Sequence, residues 1–447
     1  MSPSKLMKSA AFAAVAALVA AGSAGAYELV IPALDFRTGP YAPNGIPFAN
    51  GYADYFTMLN ERDGGLCVKP GECVKFKIVQ CETEYNTQKG VECYEKTKGE
   101  SPSGGLVFQP LSTGITYQII PKASADKIPV FSMGYGRTSA ANGAVFEWVF
   151  NLPATYWSQA SALVKYIGER EGGMDKLKGK KIYLVYHNSA YGKEPIRTLQ
   201  ALSQKHGFEF RDIAVDHPGQ EQKSVWLQIR NEKPDWVLLW GWGVMNQVAI
   251  KEATSIRFPM DRFIGVWWSG SENDAKPAGM AAKGYLSGTF HAAGADFPVH
   301  KDILKYVYDA GKATDPAFKE RVGEVLYNRG LVAALWTAEA IRTAMNMHNT
   351  KEVKGTHVRD GFENLDVDEK RLKELGAEGL TIPVKITCAN HEGPGKVAVQ
   401  QWDGKAWKIV SKGYYEPDRD VVDALIKEDS EQYAKENNIT PRACKSS

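Results

Sequence analysis

This 447-residue sequence lacks a surplus of either charge: 54 lysines and arginines face 52 aspartates and glutamates. Residues 1–26 hold Lys5, Lys8 and no acid, so without them the balance is 52 against 52. A neutral chain has no electrostatic draw toward nucleic acid or an anionic membrane, and neither is expected as a partner. The common catalytic signatures are missing as well. There is no P-loop, no G-x-S-x-G elbow and no H-E-x-x-H pair, and the eight histidines are scattered. Gly134-x-Gly136 and Gly241-x-Gly243 begin like dinucleotide loops, but Ser139 and Asn246 stand where the third glycine belongs. Ser124 and Lys127 have a Ser/Lys nucleophile spacing, yet they fall late in a predicted helix and read as chance. No metal, no cofactor and no catalytic residue is expected. A hydrolase would need a serine, a histidine and an acid converging in one cleft. His187 is the only histidine in a suitable strand-end loop, which leaves an exported amidase or esterase as the enzyme alternative.

Long apolar runs are missing with one exception. Lys5 and Lys8 precede an Ala/Val/Leu stretch from Ala10 to Ala21, and Ala24-Gly25-Ala26 follows in small-x-small order. The run is too short and too alanine-rich for a membrane span. It reads as a secretory signal removed after Ala26, leaving Tyr27 first and the mature protein in the periplasm. All six cysteines lie beyond it, an even number that suits an oxidising compartment. No C-x-x-C occurs, so zinc is disfavoured. Local pairing gives Cys67–Cys73 around a tight turn, Cys81–Cys93 across a strand-to-helix junction, and Cys388–Cys444 tying the tail to a late strand.

The length suits about two or three domain-sized cores. From Glu28 onward short apolar strands alternate with amphipathic helices. The strands predicted are Leu29–Leu34, Val74–Val79, Leu106–Phe108, Pro129–Met133, Lys181–Tyr186, Glu209–Val215, Trp236–Trp240 and Phe263–Val266. Between them fall helices over Phe48–Leu59, Thr87–Lys98, from near Thr113, Thr155–Arg170 and Val244–Thr254. A longer helix over Leu331–Met347 follows, and then a hairpin over Val397–Val410 turning at Asp403-Gly404. Repeated βα units predict α/β architecture with doubly wound parallel sheets in two successive lobes. In such folds ligands meet the loops beyond the strand carboxyl ends. The stretch Gln109–Gln118 is of that kind: Ser112, Thr113 and Gly114 open a helix, where hydroxyls and free N–H groups can meet ligand oxygens, although a hydroxyl there also serves as a helix cap. The strand-end loops are rich in aromatics (Tyr41, Tyr135, Tyr191, Trp240, Trp242, Trp267, Trp268), which suits an apolar pocket with a few placed polar groups.

With these residues in order, the chain resembles the periplasmic solute-binding proteins of branched-chain amino acid ABC transporters, the leucine/isoleucine/valine-binding type. The resemblance rests on Leu34–Gly45, Gln80–Tyr94, Gln109–Gln118, Ile182–Gly192 and Trp236–Gly243, and spans nearly all of Tyr27–Cys444. It implies a type I periplasmic binding fold, with two lobes joined by about three crossings near Asn151–Thr155, Tyr285–His291 and Leu380–Thr387. The lobes would comprise 27–150 plus 292–379, and 151–291 plus 380–447. It further implies a monomer that closes on a small-molecule ligand and delivers it to a membrane permease. Residues matching Ser112–Gly114 and Met133–Arg137, including Tyr135, Gly136 and Arg137, would take the ligand carboxylate, and Tyr41 and Tyr191 would line the cleft. Amino-acid binders of this type carry an acid after the strand matching Phe263–Val266. Here Trp267-Trp268-Ser269 fills that loop and Glu272 comes late. An unpaired ammonium is costly to bury, so an acid with an aromatic or apolar body is expected between Trp242, Trp268 and the tyrosines. Mass spectrometry of protein from the cell envelope should find Tyr27 at the N-terminus and no alkylatable thiol; a retained residue 1–26 segment would contradict the export reading.

Overall fold

The computed structural model describes residues 27–69 and 72–444, so the expected signal segment lies outside the described residues. The first lobe is built from β1 (Tyr27–Asp35), α1 (Ala42–Asp63), β2 (Leu66–Lys69), β3 (Glu72–Glu82), α2 (Thr87–Thr97), α3 (Thr113–Asp126), β4 (Val130–Phe131) and β5 (Val149–Phe150). β1 pairs in parallel with β3, and β3 pairs antiparallel with β2. Single parallel bridges, Ala33 to Gln109 and Phe108 to Val130, continue the sheet toward β4 and β5. The expected strand Leu106–Phe108 is therefore reduced to those bridges, and Pro129–Met133 to the two residues of β4. Prolines at 110 and 129 remove ladder donors at both places and cut the pairing short.

The second lobe follows with α4 (Tyr156–Glu171), β6 (Lys181–His187), α5 (Ala190–Lys193), α6 (Ile196–His206), β7 (Glu209–Val215), α7 (Lys223–Glu232), β8 (Trp236–Trp240), α8 (Val244–Ser255), β9 (Phe263–Gly265), α9 (Glu272–Ala275) and β10 (Leu286–Thr289). Its strands β7-β6-β8-β9-β10 are parallel neighbours. β8 is Trp-Val-Leu-Leu-Trp, buried throughout, the near-continuous apolar run of a strand covered on both faces.

The chain then adds α10 (Pro298–Ile303), α11 (Val325–His348), α12 (Gly355–Glu363), β11 (Asp366–Val367), α13 (Glu369–Glu374) and β12 (Val384–Lys385). Finally β13 (Ala398–Trp402) and β14 (Trp407–Ile409) extend the second sheet as an antiparallel hairpin, before α14 (Arg419–Glu436). Three passages between the lobes lie side by side. The Asn151 N–H donates to the His391 carbonyl at 2.9 Å, and the Ala292 N–H to the Leu380 carbonyl at 2.7 Å.

α11 begins at Val325, six residues before the expected Leu331. The sequence Asn328-Arg329-Gly330 interrupts the apolar stripe, but all three are buried against neighbouring elements. Gly330 is required there, because a Cβ would sit 2.0 Å from the Phe48 carbonyl of α1. That close crossing draws α11, and Arg329 with it, against the helix that Tyr41 opens.

α14 touches both lobes. On the first, Asp429 pairs with Arg137 at 2.6 Å, Ser430 accepts from Asn142 at 2.8 Å, and Tyr433 stacks on Phe146. On the second, Glu428 meets Arg197 at 3.0 Å and Asp418 meets Lys205 at 2.7 Å. The disulfides Cys67–Cys73, Cys81–Cys93 and Cys388–Cys444 form as expected. Among the described residues no helix is long and apolar enough to cross a membrane.

Cys388–Cys444 closes the longest covalent loop, with a sequence separation of 56. Replacing both cysteines with serine should lower the unfolding free energy in denaturant by about 2–4 kcal/mol. Hydrogen exchange should then quicken first in α14, and an unchanged exchange profile there would mean that the helix does not rely on the bridge.

Candidate functional site

Loops from the carboxyl ends of β1, β3 and Phe108 face those from β6, β8 and β9. On the first lobe, Leu111 adopts a left-handed conformation (φ 53°) and turns the chain into α3. Ser112 is the N-cap, its Oγ accepting the Ile115 N–H at 3.4 Å, and Thr113 and Gly114 open the helix. The Thr113 Oγ1 accepts the Gly136 N–H at 3.1 Å. The two loops expected to meet a carboxylate, Ser112–Gly114 and Tyr135–Gly136, are thus joined directly. Each hydroxyl accepts one backbone N–H and retains a second lone pair and its own hydrogen.

The second lobe reaches across through Trp267 and Trp268. Their turn is fixed by Asn246, whose amide donates to the Trp268 carbonyl at 3.1 Å, and by Ser269, which donates to the Gly241 carbonyl at 2.8 Å. Both indole N–H groups then donate to a single acceptor, the Gly134 carbonyl, at 2.9 and 2.6 Å. Gly134 has φ 73°, and a Cβ there would lie 3.0 Å from the Trp268 ring, so glycine serves both the turn and the approach. Trp268 stacks on Tyr135 (4.5 Å, 28°) and meets Trp242 edge to face at 5.4 Å. Tyr191 packs against Tyr156 at 5.4 Å and donates its hydroxyl to the Gly241 carbonyl at 2.9 Å.

Tyr41 joins the lobes at one rim. Its hydroxyl lies 3.1 Å from His187 Nε2 and 2.6 Å from His217 Nδ1, and the two imidazoles are 4.1 Å apart. A phenol has one hydrogen, so one imidazole must accept it while the other donates. His187 Nδ1 is held by Ser189 at 2.8 Å. Burial, reinforced by His217, pushes the His187 pKa down to about 3.

Of the expected residues, Tyr41, Ser112, Thr113, Gly114, Tyr135, Gly136, Tyr191, Trp242 and Trp268 come together around this junction. Arg137 does not share their surroundings. Its guanidinium is bonded to Asp429 and lies 4.6 Å from the centre of the Tyr433 ring, on the α14 side. Glu272, the late acid, accepts the Val325 N–H at 3.0 Å, and burial pushes its pKa up to about 7. The fully buried acid of that region is Asp274, bonded by Ser271, Asn246 and Asn44.

Three residues not singled out from the sequence also belong to the junction. Tyr85 packs on Tyr41 (4.7 Å) and Trp242 (6.0 Å) from a left-handed backbone (φ 59°) next to Glu84 (φ 50°). Such consecutive strained residues cluster at functional sites. Tyr156 stacks on Trp267, and its buried hydroxyl has no partner among the described residues. Arg329 lies with its guanidinium 4.8 Å from the centre of the Trp268 ring. The sequence cue for Tyr85 was its place just past β3; the other two sit inside helices and gave none. No group of three or more metal-ligating side chains occurs among the described residues.

The sequence profile of a family described as periplasmic binding protein matches residues 28–406. A solved structure titled as an ABC transporter permease from the Pseudomonas fluorescens group is 42% identical, with TM-score 0.85, covering 94% of this chain and all of that one. A branched-chain amino acid ABC transporter protein from Thermus thermophilus with bound valine shares the fold at 19% identity (TM-score 0.73; 90% and 99% of the two chains). So does a solute-binding protein from R. palustris in complex with benzoate, at 18% identity (TM-score 0.65; 88% and 97%). Among curated proteins none matches.

The Tyr41 junction makes the contact between the lobes sensitive to pH. In the arrangement described His187 is held neutral, whereas an exposed imidazole titrates near 6.5. The Tyr41 contact is therefore expected to be fully supported above about pH 6.5 and to weaken as pH falls toward 3, because a state with this rim parted would take up a proton that the joined state refuses. At pH 5 the loss is about 2 kcal/mol. Small-angle scattering should show the radius of gyration rising between pH 7 and pH 5, and His187→Gln should flatten that rise; an identical rise in the variant would remove His187 as its cause.

Proposed function

This chain belongs to the periplasmic binding protein family, the substrate-binding components that serve ABC transporters together with membrane permeases, and we propose that it carries a compact organic acid with an aromatic or otherwise apolar body into an importer. In this reading the lobes are 27–150 plus 292–379 and 151–291 plus 380–447. The protein acts as a periplasmic monomer, and the ligand lies between the lobes and is released unchanged. Ser112, Thr113 and the helix start at Gly114 orient the acid group with Tyr135 and Gly136, while Tyr41, Tyr191, Trp242 and Trp268 enclose the body.

The observation that carries the reading is the meeting of donors and aromatics at one junction. Thr113 and Gly136 are bonded to each other, and the Tyr135–Trp268 stack adjoins them, with Trp242 edge-on to it. The two acids that follow β9 point the same way. Glu272 is engaged by the Val325 N–H and Asp274 by Ser271, Asn246 and Asn44, so neither carboxylate stands free for an amino group. The fold neighbours mentioned above include one with valine and one with benzoate, and these engaged acids favour the second kind of ligand.

Calorimetry with benzoate, phenylacetate, hexanoate and valine tests this. The apolar acids should bind and valine should not. Trp242→Ala should weaken binding by about 1–3 kcal/mol, the scale of one large buried apolar contact. Thr113→Ala, which removes one hydroxyl, should cost about 1 kcal/mol. Scattering should show compaction, and the recovered ligand should have its original mass. Valine binding that ignores Trp242→Ala would overturn the proposal, and a product mass would revive the hydrolase alternative.

A further inference from the structure

Arg329 is fully buried in the second turn of α11 and forms no ion pair among the described residues. Its Nη1 donates to the Trp267 carbonyl, and its Nε donates to His291 Nε2 at 3.1 Å. The His291 tautomer is fixed by its other nitrogen, where Nδ1–H faces the Ala292 carbonyl at 3.0 Å, so Nε2 is free to accept. Neither partner carries a negative charge. Asp274 is the acid that acts on the guanidinium from beyond contact distance, and its oxygens are taken by Ser271, Asn246 and Asn44. The rings of Trp268 and Phe290, 4.8 and 5.0 Å away, stabilise a cation without neutralising it.

The remaining guanidinium nitrogen, Nη2, is buried and has no hydrogen-bond partner among the described residues. The Tyr156 hydroxyl, whose ring stacks on Trp267, the residue whose carbonyl Nη1 holds, has the Thr113 hydroxyl near it but no well-formed hydrogen bond among the described residues. A buried cation and a buried hydroxyl, both held against Trp267 and both left open, are costly unless something anionic completes them. We propose that Arg329 Nη2 and the Tyr156 hydroxyl receive the anionic group of the ligand, and that Arg329 is the residue that makes the cleft select carboxylates over neutral molecules of the same shape. The inference rests on the cleft reading above and adds the charge that Ser112 and Thr113, as neutral donors, do not supply.

The structural alternative is that Arg329 only ties α11 to the Trp267 turn and to His291. Acid-to-amide selectivity separates the two roles, since a tie has no means of sensing ligand charge. The probes are benzoate, phenylacetate and hexanoate, each against its primary amide, with binding read by calorimetry. The wild type should prefer at least one acid over its amide by about a hundredfold, the scale of losing a buried charged partner. Arg329→Gln should bring that ratio to within about threefold while circular dichroism stays native. Arg329→Lys, which keeps the charge but loses the planar fork, should retain the preference at about tenfold weaker affinity. Tyr156→Phe should weaken the acid and spare the amide. An amide bound as well as its acid by the wild type, a preference that survives in Arg329→Gln, or no response to any of the three acids would overturn the inference. The cleft reading fails separately, when an acid binds and Trp242→Ala leaves its affinity unchanged.

Discussion

Two indole N–H groups on one carbonyl oxygen hold the centre of this molecule. Trp267 and Trp268 are buried where the lobes meet, and an indole put there with its N–H unpaired would lose much of what its ring gains. The Gly134 carbonyl offers one lone pair to each. The surrounding arrangement follows from that anchor. Trp268 is placed to stack on Tyr135, Trp267 to stack on Tyr156, and the turn between the two indoles exposes the carbonyl that receives Arg329.

The junction is also a place where ionisable groups are kept away from water and sorted by what satisfies them. Glu194 crosses from the second lobe to Tyr117 and Thr138, and Asp274 is bonded by three neighbours, so these two acids are tied up structurally. Burial raises both of their pKa values. Histidines 187 and 291 are pushed toward neutrality. Against these, Arg329 is a cation brought down only to about 9 by burial, so it keeps its charge at neutral pH.

What the sequence made legible follows the range of the forces involved. β6 and β8 are strong apolar runs covered on both faces, and they appear within a residue of the expected bounds; β7, the more polar edge strand, falls on its expected bounds as well. The hairpin at Asp403-Gly404 and the cap at Ser112 are set by local turn chemistry and were readable for the same reason. The misses are tertiary. Asn328-Arg329-Gly330 looks like the end of a helix until α1 is laid against it, and Tyr156 looks like one more apolar position of α4. Arg137 reads as a free cation because Asp429, its partner, lies 292 residues away. Aromatics after strand ends marked out the junction, while the buried Arg329 beside it lies in a helix interior that no periodicity marks out.

The two edges of the cleft are mechanically unequal. Along one, Tyr41 reaches a pair of imidazoles through a single hydroxyl, a contact that a proton can undo. Along the other, α14 spans both lobes with Asp429 bonded to Arg137 and 3.7 Å from Arg197, and the Cys388–Cys444 bridge fastens the chain beyond it. In the binding role proposed above, a body fastened along one side and latched along the other would swing like a door, with α14 as the hinge post and the Tyr41 rim as the free edge. Entry and exit would then share one side, and the width of the opening would be set by how far the α14 contacts can turn without parting.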